Sequence, residues 1–308
     1  MGVERLDDLP DCRMKDSLLY STLVMIQKIG LLGYPLSHSI SPAFQQAAID
    51  HYSLPVQYGL WSIPPHGLDP EVKKLRGDAY LGANVTIPYK EQILALVDHV
   101  DITARNVGAV NTIVRNGRKL VGYNTDGWGF IKSLQDVKDF DLKGINVLML
   151  GAGGAARAAA FALMEGGVGA LTIANRTTRR SEVLAKDLGG LSKNVRAIQM
   201  CGGVFYSASM EAKLIVNCTS VGMKSGSDEG STLLTSTMIS PKALVYDMVY
   251  NPSQTPLMKE ANKIGARTLG GLMMLIYQGA ASFKLWTDKD APIETMVHAG
   301  KEALSKVT

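Results

Sequence analysis

Cysteine is scarce and scattered. Cys12, Cys201 and Cys218 lie too far apart in the chain for a disulfide framework or a metal-ligand spacing, which points to a reducing, cytoplasmic setting. The five histidines contain no pair at metal-ligand spacing, so no metal is expected. No apolar run reaches the ~18 residues that span a bilayer, and a membrane partner is not expected. No basic run exceeds a pair, no RNA- or DNA-binding motif occurs, and there is no internal repeat or low-complexity segment. A formal charge of +4 suits anionic small molecules and gives no reason to expect nucleic acid. Charged residues make up 19% against 46% hydrophobic, which favours a buried core over disorder. The 308 residues suffice for two domains or one large one.

Glycine, by contrast, is concentrated where it carries meaning. Gly151-Ala152-Gly153-Gly154-Ala155-Ala156-Arg157 follows the apolar run Ile145–Leu150 and precedes the helical stretch Ala158–Met164. Strand, glycine turn and helix together are a dinucleotide-binding signal, whereas the glycines alone would also suit an ordinary βα turn. Gly151 allows the tight turn, Gly153 lets the backbone approach a pyrophosphate, and Ala156 permits close helix–strand packing. Free N–H groups at the helix start would face the phosphates.

A second absence sharpens this. At the end of the strand-like run Ala170–Ala174, an NAD-binding fold usually places a carboxylate for the ribose hydroxyls. Here Asn175 stands instead, followed by Arg176, Thr177, Thr178, Arg179 and Arg180. A carboxylate repels a 2′-phosphate, while guanidinium groups grip one, so the expected cofactor is NADP. The alternative is a solvated first helical turn, although cations are disfavoured at a helix N-terminus unless an anion joins them.

Residues 1–24 mix charges with a short apolar patch and carry no cleavage signal of a secretory peptide; an added helix or disordered tail without a catalytic role is expected, with Met25 as an alternative start. From 25 to 124, strands are expected at 26–32, 56–60 and 79–85, and helices over 42–50 and from Pro88 through Val97. A hairpin is expected around Asn116-Gly117. Residues 125–271 alternate strand and helix (strands 145–150, 170–174, 213–217 and 243–247), which implies a parallel sheet. Asn124 to Gly129 reads as a polar linker. Helices at 273–278, 280–286 and 292–306 would return to the first domain and leave a cleft between the two.

Within that frame Lys90 stands two residues after Pro88, in the expected first turn of a helix, whose dipole disfavours an ammonium. Asp126, on an expected turn at the domain junction, is a candidate partner; together they could handle the proton that accompanies hydride transfer. A surface lysine and a helix-capping aspartate are the plainer alternatives. Ser39 and Ser41 would face the same way on an extended backbone and suit a carboxylate or polyol, unless Ser41 simply caps the helix opened by Pro42. His38 reads as structural.

These segments, with Gly33–Pro42, Gly82–Glu91, Gly108–Thr112, Asn124–Gly127, Tyr246–Tyr250 and Gly271–Gln278, occur in an order that resembles the shikimate dehydrogenase family across roughly residues 25–300. The resemblance implies a two-domain α/β fold. An N-terminal substrate domain (25–124, completed by helices at about 272–308) would precede a Rossmann-like NADP domain (125–271) with a parallel sheet. It implies NADPH-dependent, reversible reduction of 3-dehydroshikimate to shikimate, a CH–OH oxidoreductase step on the route to aromatic amino acids. Lys90 and Asp126 then match the family's catalytic pair. Ser39 and Ser41 match its carboxylate-binding hydroxyls, and Thr86, Asn111, Tyr250 and Gln278 its other substrate contacts. Gly151, Ala152, Gly153, Gly154 and Ala155 match the pyrophosphate cradle, and Asn175, Arg176, Thr177 and Arg180 the 2′-phosphate clasp. Met248 and Gly271 would line the nicotinamide side, and Met273 departs from the glycine that many relatives carry. A quinate/shikimate dehydrogenase of broader specificity is the near rival, and a non-catalytic dinucleotide sensor the distant one. Serine at both 39 and 41 favours shikimate; retention of Lys90 and Asp126 argues against the sensor. A monomer or homodimer is expected.

Overall fold

The computed structural model describes residues 25–36, 39–190 and 194–307. The extension over 1–24 and the role read for His38 lie outside the described residues. The first half runs β1 (Gln27–Gly33), α1 (Ser41–His51), β2 (Val56–Ser62), α2 (Leu68–Lys74), β3 (Tyr80–Val85), β4 (His99–Val100), α3 (Ile102–Val107), β5 (Thr112–Asn116) and β6 (Lys119–Tyr123). Its sheet has the order β2-β1-β3-β5-β6-β4. β1 pairs parallel with β2 and β3, while β5 pairs antiparallel with β3 and β6. The second half runs α4 (Asp126–Gln135), β7 (Asn146–Leu150), α5 (Gly154–Glu165), β8 (Ala170–Asn175), α6 (Thr178–Leu188), β9 (Val195–Gln199), α7 (Gly202–Glu211), β10 (Leu214–Asn217), β11 (Leu244–Asp247), α8 (Pro256–Lys263) and β12 (Arg267–Gly270). All its strands are parallel, in the order β12-β11-β10-β7-β8-β9. The two last helices, α9 (Leu272–Thr287) and α10 (Ile293–Val307), close the chain. The fold is α/β with a mixed first sheet and a Rossmann-like parallel second sheet.

The alternation of side chains along each strand divides the core. On β7, Val147 and Met149 face α4, α5 and α6, while Leu148 and Leu150 face α7 and α8. Both faces are covered, which is why the strand reads as an unbroken apolar run. In the first sheet, Ile29 and Leu31 of β1 pack under α1, α9 and α10, and Leu32 packs on the opposite face with Val72 and Ile93. α9 therefore leaves the second sheet and adds Ile276, Phe283 and Trp286 to the core of the first.

Several expectations are corrected here. β9 and β12, absent from the expected strands, are the two edges of the second sheet; half exposed, they lack the apolar run that marks a central strand. α9 is continuous through Gly279, where a break was expected. The glycine serves packing: a Cβ there would come within 2.5 Å of the Phe44 ring on α1. The hairpin pairs Asn116 with Lys119, so its two-residue loop is Gly117-Arg118, one residue later than expected, with Gly117 at φ 59°. The expected polar linker 124–129 is a buried junction, because Asn124 and Thr125 are buried and α4 begins at Asp126.

α4 and α9 meet at Gly129, where a Cβ would lie 2.7 Å from the Gln278 backbone nitrogen and 2.9 Å from the Met274 carbonyl. Neither neighbour is a flexible side-chain end. Gly129→Ala should therefore destabilise the protein by roughly 1–3 kcal/mol through overpacking. The check is the urea midpoint, and an unchanged midpoint would show that the two helices part freely.

Candidate active site

Lys90 and Asp126 meet. Lys90 Nζ lies 2.6 Å from Asp126 Oδ2, with the aspartate 5% and the lysine 16% exposed at the side chain. Their local settings are the reverse of the sequence expectation. Residues after Pro88 form turns and a short 3-10 segment, Gln92–Ala95, so Lys90 is not at a helix start. The cause is tertiary. Tyr89 is completely buried with its hydroxyl on the Ile63 carbonyl, and the Lys90 carbonyl accepts the Val110 N–H at 2.7 Å instead of serving a helical turn. The helix N-terminus belongs to Asp126, the first residue of α4, where the dipole favours a carboxylate.

Asn111, just before β5, ties this pair to the rest. Its Nδ2 lies 2.9 Å from Asp126 Oδ1, 2.8 Å from Thr125 Oγ1 and 3.1 Å from Gln278 Oε1. Its Oδ1 accepts the Thr125 N–H at 2.8 Å and the Thr112 hydroxyl at 3.0 Å, which fixes the orientation of the amide. Behind it, Thr112, Ser282 of α9 and Thr125 share hydroxyl bonds, Asn84 of β3 donates to Ser282 Oγ at 3.0 Å, and the Tyr58 hydroxyl donates to Asn84 Oδ1 at 2.8 Å. A chain of buried polar groups thus runs from the first sheet through α9 to Asp126. Asn84, Thr112, Thr125, Ser282 and Tyr58 were not among the candidates; the signal of Asn84, Thr112, Ser282 and Tyr58 was a polar group within a strand or helix, while Thr125 stands just before α4.

The structure brings Lys90, Asn111, Asp126 and Gln278 into this one network. It gives Ser39, Ser41, Thr86 and Tyr250 no hydrogen bond to it. Ser39 and Ser41 do not lie on an extended backbone: Ile40 has φ −89° and ψ 1°, and the Ser41 N–H approaches Ser39 Oγ at 3.3 Å. Nor does Ser41 cap α1; Ile40 holds the cap position, and Ser41 begins the helix with its side chain buried. Burial pushes the Tyr250 phenol up, so it remains a hydroxyl donor. Cys218, beyond β10, is half-buried; desolvation, together with the Asp247 carboxylate, pushes its thiol up and disfavours a thiolate. Among the described residues no group of His, Cys, Asp or Glu could hold a metal ion, and no helix is long and apolar enough to cross a membrane.

Across the junction stands the glycine turn. Gly151 has φ 105°, a conformation that side chains rarely adopt, and a Cβ there would lie 3.0 Å from Thr219 Cγ2. Gly153, the N-cap of α5, has open space around its missing Cβ, and Ala156 is completely buried against the sheet. The turn lies between β7 and β10, where the strand order reverses, the usual crevice for a dinucleotide. A Cβ on Gly154 would sit 3.5 Å from Lys90 Cδ, so the lysine lies alongside the start of α5. At the end of β8, Asn175 donates to the Thr177 carbonyl at 2.9 Å, Arg176 is exposed, and Arg180 is exposed in the first turn of α6. Arg179 faces Glu182 at 3.7 Å; Arg176 and Arg180 have no acidic partner among the described residues. An open backbone cradle beside two uncompensated guanidinium groups fits a phosphorylated dinucleotide. Met248 and Gly271 are in contact, since a Cβ on Gly271 would overlap the Met248 carbonyl. Arg157, unnoticed as a functional residue, spans the halves: its Nε donates to the Val107 carbonyl at 2.6 Å and its Nη2 pairs with Asp187 at 2.9 Å.

A parallel sheet with a glycine turn at its switch point, facing a Lys–Asp pair held by a second sheet, is the architecture of a dinucleotide-dependent oxidoreductase. Three family models match parts of the chain: the shikimate dehydrogenase substrate binding domain matches residues 31–113, shikimate / quinate 5-dehydrogenase 133–233, and the shikimate 5′-dehydrogenase C-terminal domain 271–299. The NADP(+) shikimate dehydrogenase of Symbiobacterium thermophilum is 44% identical over 279 residues, 90% of this chain and 94% of that one. A shikimate 5-dehydrogenase of Thermus thermophilus, solved in complex with NADP(H) and shikimate, is 36% identical with a TM-score of 0.80, covering 90% and 99% of the two chains. A quinate dehydrogenase of Corynebacterium glutamicum, solved with NAD, is 28% identical with a TM-score of 0.82, covering 90% and 99%. The protein belongs to the shikimate dehydrogenase family.

Asn111→Ala should leave Asp126 Oδ1 and Gln278 Oε1 without their donor. The Asp126 oxygen is buried and the Gln278 oxygen half-buried, and a buried acceptor left unpaired costs about 1–3 kcal/mol, so a loss of roughly that size is expected in urea denaturation. A variant as stable as the wild type would show that Asn111 does not hold the junction together.

Proposed function

We propose that the protein catalyses the reversible NADPH-dependent reduction of 3-dehydroshikimate to shikimate. The observation that carries the reading is the Lys90–Asp126 pair at 2.6 Å, buried at the junction and alongside the start of α5. When bound, NADPH supplies the hydride. Lys90 Nζ donates a hydrogen bond to the substrate carbonyl oxygen, stabilises the negative charge that develops there, and passes it a proton. Asp126 orients Lys90 and accepts a hydrogen bond from a substrate hydroxyl. Asn111 and Gln278, joined at 3.1 Å, read the neighbouring hydroxyls. Ser39, Ser41, Thr86 and Tyr250 complete the substrate site, with the two serines donating to the carboxylate. Gly151, Ala152, Gly153, Gly154 and Ala155 hold the pyrophosphate, Met248 and Gly271 border the nicotinamide, and Asn175, Arg176, Thr177 and Arg180 take the 2′-phosphate. We assign residues 25–124 with 272–308 to substrate and 125–271 to cofactor. Unpaired thiols at Cys201 and Cys218 support a cytoplasmic location, and we propose a monomer or homodimer.

Initial rates with shikimate plus NADP, quinate plus NADP, and each with NAD test the reading. Turnover is expected with the first pair; a preference for quinate, or for NAD, would replace it, and no turnover with any would make the protein a sensor. Lys90→Ala should lower turnover by two or more orders of magnitude, in the range of a lost acid–base group, with a small change in KM. Retention of more than about a tenth of wild-type turnover would remove Lys90 from the mechanism.

Arg176 and Arg180 should decide the cofactor. Replacing both with Ala removes two charge-assisted partners, each bond worth about 1.5–3 kcal/mol. NADP binding should weaken at least about tenfold, with NAD nearly unaffected. Equal weakening of the two cofactors in steady-state KM would show that the arginines do not discriminate.

A further inference from the structure

The end of β11 holds a carboxylate that the reaction derived above does not use. Asp247 is completely buried, and among the described residues no cation pairs with it. Its partners are all donors: Asn217 Nδ2 at 2.9 Å and the Val249 N–H at 3.0 Å on Oδ1, and the Thr255 hydroxyl at 2.6 Å on Oδ2. The Thr255 oxygen already accepts the Met258 N–H as the N-cap of α8, so its hydrogen goes to Asp247. Three donors and no acceptor suit the ionised form. Burial pushes the carboxyl up, and the same three hydrogen bonds oppose that.

The three donors sit at the end of β10, in the turn after β11 and at the N-cap of α8, and the first two connect to the residues around the glycine turn. Asn217 accepts the Thr219 N–H at 3.0 Å and its hydroxyl at 2.7 Å, and Thr219 is the side chain against which Gly151 packs. The Asn217 carbonyl also accepts the Met248 N–H at 3.0 Å. The Val249 carbonyl accepts the Gly271 N–H at 3.3 Å. Asp247 therefore bonds directly to the ends of β10 and β11 and to the start of α8, and through Thr219 and Val249 it is linked to the turn at Gly151 and the start of α9.

We propose that Asp247 is a positioning residue of the cofactor site: by holding Asn217, Val249 and Thr255 it fixes the nicotinamide-side residues Met248 and Gly271 relative to the pyrophosphate turn at Gly151. The proposal rests on the NADP reading above. Asparagine has the same shape but a different hydrogen-bond sign on one side. Wherever its amide nitrogen points, a donor faces a donor, at Thr255 or at the Asn217–Val249 pair. The turns then shift by the small distances to which an aligned reaction is sensitive.

The test compares Asp247→Asn with wild type in calorimetric titrations of NADP+ and of adenosine 2′,5′-bisphosphate, a probe without the nicotinamide half, well below the unfolding temperature. The expected result is a fragment Kd within about twofold of wild type, an NADP+ Kd raised at least about fivefold, and kcat lowered at least about tenfold. A purely structural role would lower the Tm without separating the two ligands. Thr255→Val, which removes one donor, should show a smaller separation in the same direction and decides the matter if Asp247→Asn does not fold. Equal weakening of both ligands, or of neither, overturns the role of Asp247 while leaving the cofactor reading intact. Wild-type protein that fails to bind NADP+ overturns both.

Discussion

A carboxylate buried at the start of a helix is the constraint on which the rest depends. Asp126 is 4% exposed, and a charge so placed must be paired and hydrogen-bonded. The first turn of α4, Lys90 and Asn111 meet that requirement together. They come from different parts of the fold, so satisfying one carboxylate brings both sheets and α9 into register. One set of bonds joins these side chains: Asp126 holds Lys90, and the Asn111 amide that holds Asp126 also holds Gln278.

Asp126 and Asp247 solve similar problems differently. Asp126 is paired with a cation, Lys90, at the junction. Asp247 has neutral donors alone and is closed on every side by backbone and side-chain groups. A carboxylate satisfied by neutral donors costs more to bury but cannot exchange its partners easily, which suits a fixed point for several turns. Arg157 adds a third connection, from α5 to the end of α3, so the two halves are also tied away from the Lys90–Asp126 pair.

What could be read along the chain were features decided within a few residues. The turn at Gly151 needs a backbone that only glycine adopts readily, and its neighbours mark strand and helix by apolar periodicity. The arginines after β8 stand out because a carboxylate is missing where one is usual. The central strands β7, β8, β10 and β11 were legible because both their faces are buried. The edge strands β9 and β12 were not, since one side of each faces solvent and the apolar run breaks. The segment after Pro88 carries a helical pattern, yet its Lys90 carbonyl is taken by Val110, a residue twenty positions away, and the helix does not form.

The sequence by itself determined the fold class, the glycine turn and the side-chain chemistry of Lys90 and Asp126, because periodicity, turn preference and functional groups are local properties. Only the tertiary structure decided which helix start faces which charge. It placed Asp126 rather than Lys90 at a dipole, turned Ser39 and Ser41 away from an extended backbone, and joined Tyr58, Asn84, Thr112, Thr125 and Ser282 into a network behind the site. Those outcomes depend on bonds between residues distant in the chain. Spacing along one strand or helix carries no information about them until the two sheets and α9 have packed.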